Sequence, residues 1–179
     1  MMDLIVDSEI SLQLVSAKHV KGISEVAERN RAYLGQWLPW LDRMKDITFI
    51  ENFVKNTEIA NNSKSEFSFV ILKNDEVIGR IGLYSINYSN SLAEIGYWID
   101  ELHEGKGIVT KSCKRILEYA FYELNLNRIE IKCAVANKRS PAVPVRLGFQ
   151  LEGILRSAEL LHGEFHDLYL YSLLKTEFK

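Results

Sequence analysis

Apolar and polar positions alternate from residue 8 to residue 16 (SEISLQLVS), where Ile10, Leu12 and Leu14 fall on one side of the chain. A period of two is the mark of a half-buried strand, because successive side chains point to opposite faces. After Ser16 the spacing lengthens to three and four residues, with Val20, Ile23, Val26 and Ala27 in register, and Ser16 itself is suited to cap a helix. A second helical stretch, about residues 48–61, is carried by Phe49, Ile50, Phe53, Val54 and Ile59. The pattern then reads as strands over 66–73 and 77–87, joined across the turn-forming Asn74-Asp75-Glu76, and again over 92–99. Helical spacing returns over 110–124, where Cys113, Ile116, Leu117, Ala120, Phe121 and Leu124 share a face. Strict alternation of Ile129, Ile131, Cys133 and Val135 predicts a strand over 128–135. A short helix or turn near 140–147 stops at Gly148, which suits the residue just past a helix end. Two closing strands bracket His162-Gly163-Glu164 as a hairpin. The order β-α-α-β-β-β-α-β-α-β-β predicts an α+β fold: a central mixed sheet with helices on both faces, in a single domain spanning 1–179.

Composition narrows the function classes. The 179 residues are 47% hydrophobic and 26% charged, as in ordinary globular domains. With 22 Lys and Arg against 24 Asp and Glu, the net charge is −2, which disfavours nucleic-acid binding driven by phosphate contacts. Two cysteines, Cys113 and Cys133, are too few for a disulfide framework and lack metal-ligand spacing, so they read as reduced thiols packed in a core. The opening MMDLIVDSEI lacks the basic and apolar regions of a signal peptide, and no apolar run approaches the ~20 residues a membrane span needs. The expectation is a cytoplasmic protein that engages neither membrane nor nucleic acid.

The chemistry concentrates between Ile95 and Thr110 (IGYWIDELHEGKGIVT), which places a strand, a two-glycine loop and a helix start in one stretch. Gly105 and Gly107 permit positive φ and close backbone approach, and a helix N-terminus behind them adds unpaired N–H groups and a positive dipole end. Such a loop can cradle a phosphate or pyrophosphate, with Lys106 able to add a point charge. It is neither a GxxxxGK[ST] loop nor a GxGxxG fingerprint. The glycines could equally do no more than turn the chain.

Five pieces in order extend the reading: Glu104-Gly105-Lys106-Gly107-Ile108-Val109, the strand 128–135, Asn137-Lys138-Arg139-Ser140, Leu147-Gly148-Phe149, and the tail LEGILRSAE from Leu151 to Glu159. Together they resemble the GNAT superfamily of acetyl-CoA-dependent N-acetyltransferases. The tail, with Leu126-Asn127-Arg128-Ile129-Glu130-Ile131, is similar to the Rim-type ribosomal-protein N-terminal acetyltransferases. The resemblance implies a GNAT-like fold in which the strand 92–99 splays from the strand 128–135 to admit the pantetheine arm. It implies acetyl-CoA as co-substrate, with no metal, held by Gly105, Lys106, Gly107, Ile108, Val109 and Thr110, by Glu104 and Asn137, and by backbone at Trp98 and Ile99. It makes Glu159 the general base for the incoming amine and Ser140 the acid that protonates the leaving thiolate. Trp37 and Trp40, in AYLGQWLPWL, become acceptor contacts; without the resemblance they read as core or interface packing, as does Tyr33. The implied acceptor is a protein or peptide α-amine, with a small amine such as an amino acid, polyamine or antibiotic as the alternative, and the implied assembly is a homo-oligomer.

Several residues pull against these assignments. Glu104 stands where the superfamily carries Gln or Arg, and an acid there should weaken phosphate binding. Val109 stands where Gly or Ala is commonest. Pro141 and Pro144 crowd Ser140, and Pro144 would remove a helical hydrogen bond. A non-catalytic CoA-binding module and a nucleotide-binding protein using the glycine loop are the rivals from other classes. His162 and His166, with Glu164 and Asp167, invite a metal reading, but no third partner motif accompanies them.

Overall fold

A continuous apolar run, Phe69-Val70-Ile71-Leu72, marks the strand that the whole molecule is built around, because it is buried on both faces. The computed structural model describes residues 3–179. Eight strands form one sheet: β1 (Asp3–Ile5), β2 (Ile10–Leu14), β3 (Phe67–Lys73), β4 (Glu76–Asn87), β5 (Leu92–Ile99), β6 (Arg128–Ala134), β7 (Gln150–Leu161) and β8 (Glu164–Leu174). Their spatial order is β1-β2-β3-β4-β5-β6-β8-β7, and every neighbouring pair is antiparallel except β5–β6. The mixed α+β sheet predicted from the order of elements is therefore present. The additions are β1 and a one-turn helix, α2 (Arg31–Leu34), both too short to show a period.

Helices α1 (Val20–Arg29) and α3 (Ile47–Ser63) cover one face of the sheet. There Ile23, Val26, Ile50 and Val54 pack against Val70, Leu72 and Trp98. On the other face α4 (Ile108–Glu118) sets Cys113, Ile116 and Leu117 against Phe69, Ile81, Ile95 and Ile131. The helix starts two residues before the predicted Thr110, and its final turn widens to a π turn over Tyr119–Glu123, with the Leu124 N–H reaching the Tyr119 carbonyl at 3.0 Å. Both cysteines are buried, and burial lifts the Cys133 thiol to about 11, which suits packing and not nucleophilic work. Among the described residues no helix is long and apolar enough to cross a membrane.

One polar knot fastens the two layers at the end of β5. Asp100, 1% exposed, accepts from Arg29 Nη2 at 2.5 Å and from the Leu102 amide at 3.2 Å. The neighbouring Asn30 accepts from the Glu101 amide at 3.0 Å, so the C-terminal end of α1 is tied to the segment that leads into the glycine loop. Burial works against ionisation of Asp100, but the Arg29 guanidinium and the Leu102 amide outweigh it and hold the carboxyl below its usual range. A depressed pKa stabilises the fold above the unfolded value, and that contribution is lost as pH falls through the folded one. Asp100→Asn should cost about 1–3 kcal/mol near pH 7. Its stability and the wild type's should converge as pH falls below ~4. Urea unfolding across that range reads both.

Candidate active site

β5 and β6 run in register for three residue pairs, Leu92–Arg128, Ala93–Ile129 and Glu94–Glu130, and then separate although both strands continue. The predicted splay is thus in place, and beyond Glu94 the β5 backbone pairs with β4 on one side and faces a cleft on the other. At the mouth of the cleft lies a cavity of about 990 Å³. Trp98, Ile99, Glu104, Gly105, Gly107, Ile108, Val109, Thr110, Asn137, Ser140 and Trp37 all line it, so eleven of the fourteen residues singled out in the sequence converge on one space. Gly105 and Gly107 have φ of +70° and +73°, and Gly107 caps α4. The first intrahelical bond runs from the Lys111 amide to the Gly107 carbonyl at 3.0 Å. The amides of Ile108, Val109 and Thr110 therefore have no partner within the helix, as an anion cradle requires. The Trp98 indole packs into the core under α1 and α3, where its N–H is buried without a protein partner.

Three residues stand elsewhere. Lys106 is outside the lining, and its amine donates to the Leu102 carbonyl at 2.8 Å, bracing the loop from behind. Trp40 packs in the second core, stacked on Phe49 at 6.4 Å and tilted against Trp98 at 6.3 Å, so it supports the cavity wall without reaching the space. Glu159 lies on β7 and lines neither this cavity nor the next. A bulge places it: β7 carries extra residues between Leu155 and Glu159, with Ser157 at φ +51° and its amide held by Asp167 at 2.8 Å. The bulge sets Glu159 opposite His166. Burial lifts the Glu159 carboxyl above the ordinary glutamate value; His166 opposes this and Glu94 adds to it.

His166 lines a second cavity of about 570 Å³, which shares Gln36, Trp37 and Ala136 with the first. Its charged and titratable lining is mixed: Asp42 and Glu164 stand with Arg31, His162 and His166. The hairpin tip closes one end: His162 lies 2.9 Å from the Gly35 carbonyl through Nε2 and 3.0 Å from Asp42 through Nδ1. Among the described residues no group of three or more His, Cys, Asp or Glu is placed to hold a metal.

The crowding around Ser140 has a structural answer that the sequence did not disclose. Helix α5 (Ala142–Arg146) begins one residue beyond Pro141, and Asn137 Oδ1 accepts from both the Arg139 and Ser140 amides at 3.1 Å. Pro144 has no N–H to offer the Ser140 carbonyl, which accepts from the Val143 amide at 3.2 Å instead. The Tyr97 phenol donates to that carbonyl at 3.1 Å and lies 3.3 Å from the Ser140 hydroxyl. Burial pushes the Tyr97 phenol far above its ordinary value of 10, so it stays protonated at any working pH. At the other end Gly148, at φ +81°, forms a Schellman closure: its amide reaches Val145 at 3.2 Å and the Phe149 amide reaches Pro144 at 3.0 Å.

The comparisons with known proteins agree with this geometry. Residues 10–150 match the acetyltransferase (GNAT) domain. The chain belongs to the GNAT acetyltransferase family. Among its relatives, the putative ribosomal N-acetyltransferase YdaF of Bacillus subtilis is 36% identical over 97% of this chain and 96% of its own. The ribosomal-protein-serine acetyltransferase of Escherichia coli is 34% identical over 93% of each. A solved structure of RimL, a ribosomal L7/L12 α-N-protein acetyltransferase in complex with coenzyme A, superposes with a TM-score of 0.93 at 28% identity, covering 97% of this chain and 98% of that one. This GNAT chain is therefore an acetyl-CoA-dependent N-acetyltransferase in fold and activity class.

Tyr97→Phe should cost about 1 kcal/mol by leaving the Ser140 carbonyl without that donor. Adding Pro144→Ala, which supplies an N–H at the fourth position on, should recover part of the loss in thermal unfolding.

Proposed function

We propose that this chain acetylates the α-amine of a protein N-terminus, of the ribosomal-protein kind that its relatives' names describe, in the cytoplasm. The observation that carries the reading is the meeting of the two cavities at Gln36, Trp37 and Ala136: one lies on the amide-rich glycine loop, the other carries Asp42 and Glu164 beside Arg31, His162 and His166. The first suits the phosphates and pantetheine arm of acetyl-CoA, and the carboxylates of the second suit a cationic amine. In this reaction the ammonium first gives a proton through water to Glu159, which stands opposite His166 of the second cavity. The free amine then attacks the thioester carbonyl, and backbone donors near Trp98 and Ile99 stabilise the oxyanion. The C–S bond breaks, Ser140 protonates the departing thiolate, and the proton shed by the new amide nitrogen restores the serine hydroxyl. Holding amine and thioester together supplies much of the remaining acceleration.

Steady-state assays with acetyl-CoA should show turnover on short peptides with a free N-terminus and little on their N-blocked forms. Turnover confined to small polyamines or amino acids would favour the alternative acceptor, and binding of acetyl-CoA without turnover on any amine would favour a non-catalytic module. Glu159→Gln should lower kcat by ~10²–10⁴-fold. In the wild type, kcat/KM should fall as pH drops through the raised Glu159 value, above 4.5, because protonation removes the base. The variant should lack this limb.

Self-association belongs to the same reading. On the β7–β8 hairpin, Leu151, Ile154 and Leu160 of the edge strand β7 and Phe165 of β8 are 52–68% exposed. A second copy of the chain is the occupant this surface would take. Sedimentation should report an oligomer that Phe165→Lys shifts toward the monomer.

A further inference from the structure

Glu104 is the residue at which this chain departs most sharply from a phosphate-binding loop, and its surroundings explain how the departure is tolerated. Its carboxylate takes the Tyr33 hydroxyl on one oxygen and the Arg139 guanidinium on the other. The three residues come from α2, from the loop before α4 and from the segment before Ser140, and all three line the larger cavity. Glu104 thus spans the mouth of the space next to Gly105, with Arg139 drawn in beside it. Burial, followed by the carboxylate it serves, pushes the Tyr33 phenol up to about 12, so this arm of the clasp stays a hydrogen-bond donor.

We propose that Glu104 is a placeholder anion: in the ligand-free chain it holds Arg139 at the rim of the cavity, and the guanidinium passes to the pyrophosphate of the cofactor when that group enters. The inference rests on the acetyl-CoA reading above and identifies a residue contact that the glycine loop alone does not supply. The exchange is favourable for two reasons. The Arg139 side chain is 71% exposed against 25% for Glu104, so the guanidinium is already largely hydrated and leaves the pair at less cost than a buried partner would. A phosphate diester oxygen beside the loop amides gives the guanidinium a charge-assisted, bidentate partner. Glu104 keeps Tyr33 after the exchange. Its own charge remains near the incoming anion, so it limits affinity even as it positions the arginine.

The sign of one substitution separates this arrangement from a purely structural brace. Isothermal titration of the full chain with CoA should show Glu104→Gln binding several-fold more tightly than wild type, because a competing anion is gone. Arg139→Gln should bind about tenfold more weakly, the loss expected for one charge-assisted contact. The arginine's contribution should be larger in the Glu104→Gln background than in the wild type, a coupling that a double-mutant cycle reads directly. Dephospho-CoA, which keeps the pyrophosphate, should show the same penalty for Arg139→Gln. Weaker binding by Glu104→Gln would overturn the proposal, since it would make the clasp a brace. A penalty confined to CoA would overturn the pyrophosphate as the recipient. Failure of the wild type to bind either ligand would instead remove the acetyl-CoA reading itself. Circular dichroism melts of each variant establish that it is folded before titration.

Discussion

The parallel contact between β5 and β6 is the constraint on which everything else depends. It extends over three residue pairs, and beyond Glu94 and Glu130 the strands go separate ways. An antiparallel neighbour could have continued the ladder to Ile99 and sealed the sheet. A parallel neighbour reached through a crossover helix brings its own geometry: α4 must start where β5 ends, so its N-terminus and the glycines before it face the opening. The same divergence that leaves backbone groups unpaired therefore delivers the amides that an anion needs. Asp100 and its contacts with Arg29 and Leu102 fix the segment between strand and helix, so that the loop cannot relax into the gap.

Much of the fold was legible because the residues that set it lie close together in the chain. The alternation in β2 and β6 and the three-four spacing in α1, α3 and α4 are local patterns that report which side of an element is buried. Elements too short for a full period, β1 and α2, left no such trace. The bulge before Glu159 was also invisible, since it depends on Ser157 meeting Asp167 across the hairpin and not on any turn dipeptide.

The site divides in the same way. Backbone roles, such as those of Gly105 and Gly107, could be read from residue type because a positive φ leaves glycine as the economical choice. Side-chain partnerships across the cleft could not. Glu104 looked like a defect when set against its sequence neighbours, and its two partners sit 71 and 35 residues away. Pro144 likewise looked disruptive until the Ser140 carbonyl proved to accept from the Val143 amide and from Tyr97 on β5. In both cases the apparent violation is local and tertiary contacts help to compensate it. Lys106 shows the reverse: a charge well placed in the sequence turns back to brace its own loop.

The shortness of the β5–β6 pairing also bears on how the chain folds and persists. The β3–β4, β4–β5 and β7–β8 pairings join strands that are adjacent in sequence, whereas the β5–β6 contact must close a loop running from Asp100 to Asn127. Few hydrogen bonds repay that closure. A ligand that touches both halves of the opened sheet adds its binding free energy to this seam, in proportion to the logarithm of its concentration over its dissociation constant. A bound acyl donor would then add to the stability of the fold as well as take part in its reaction.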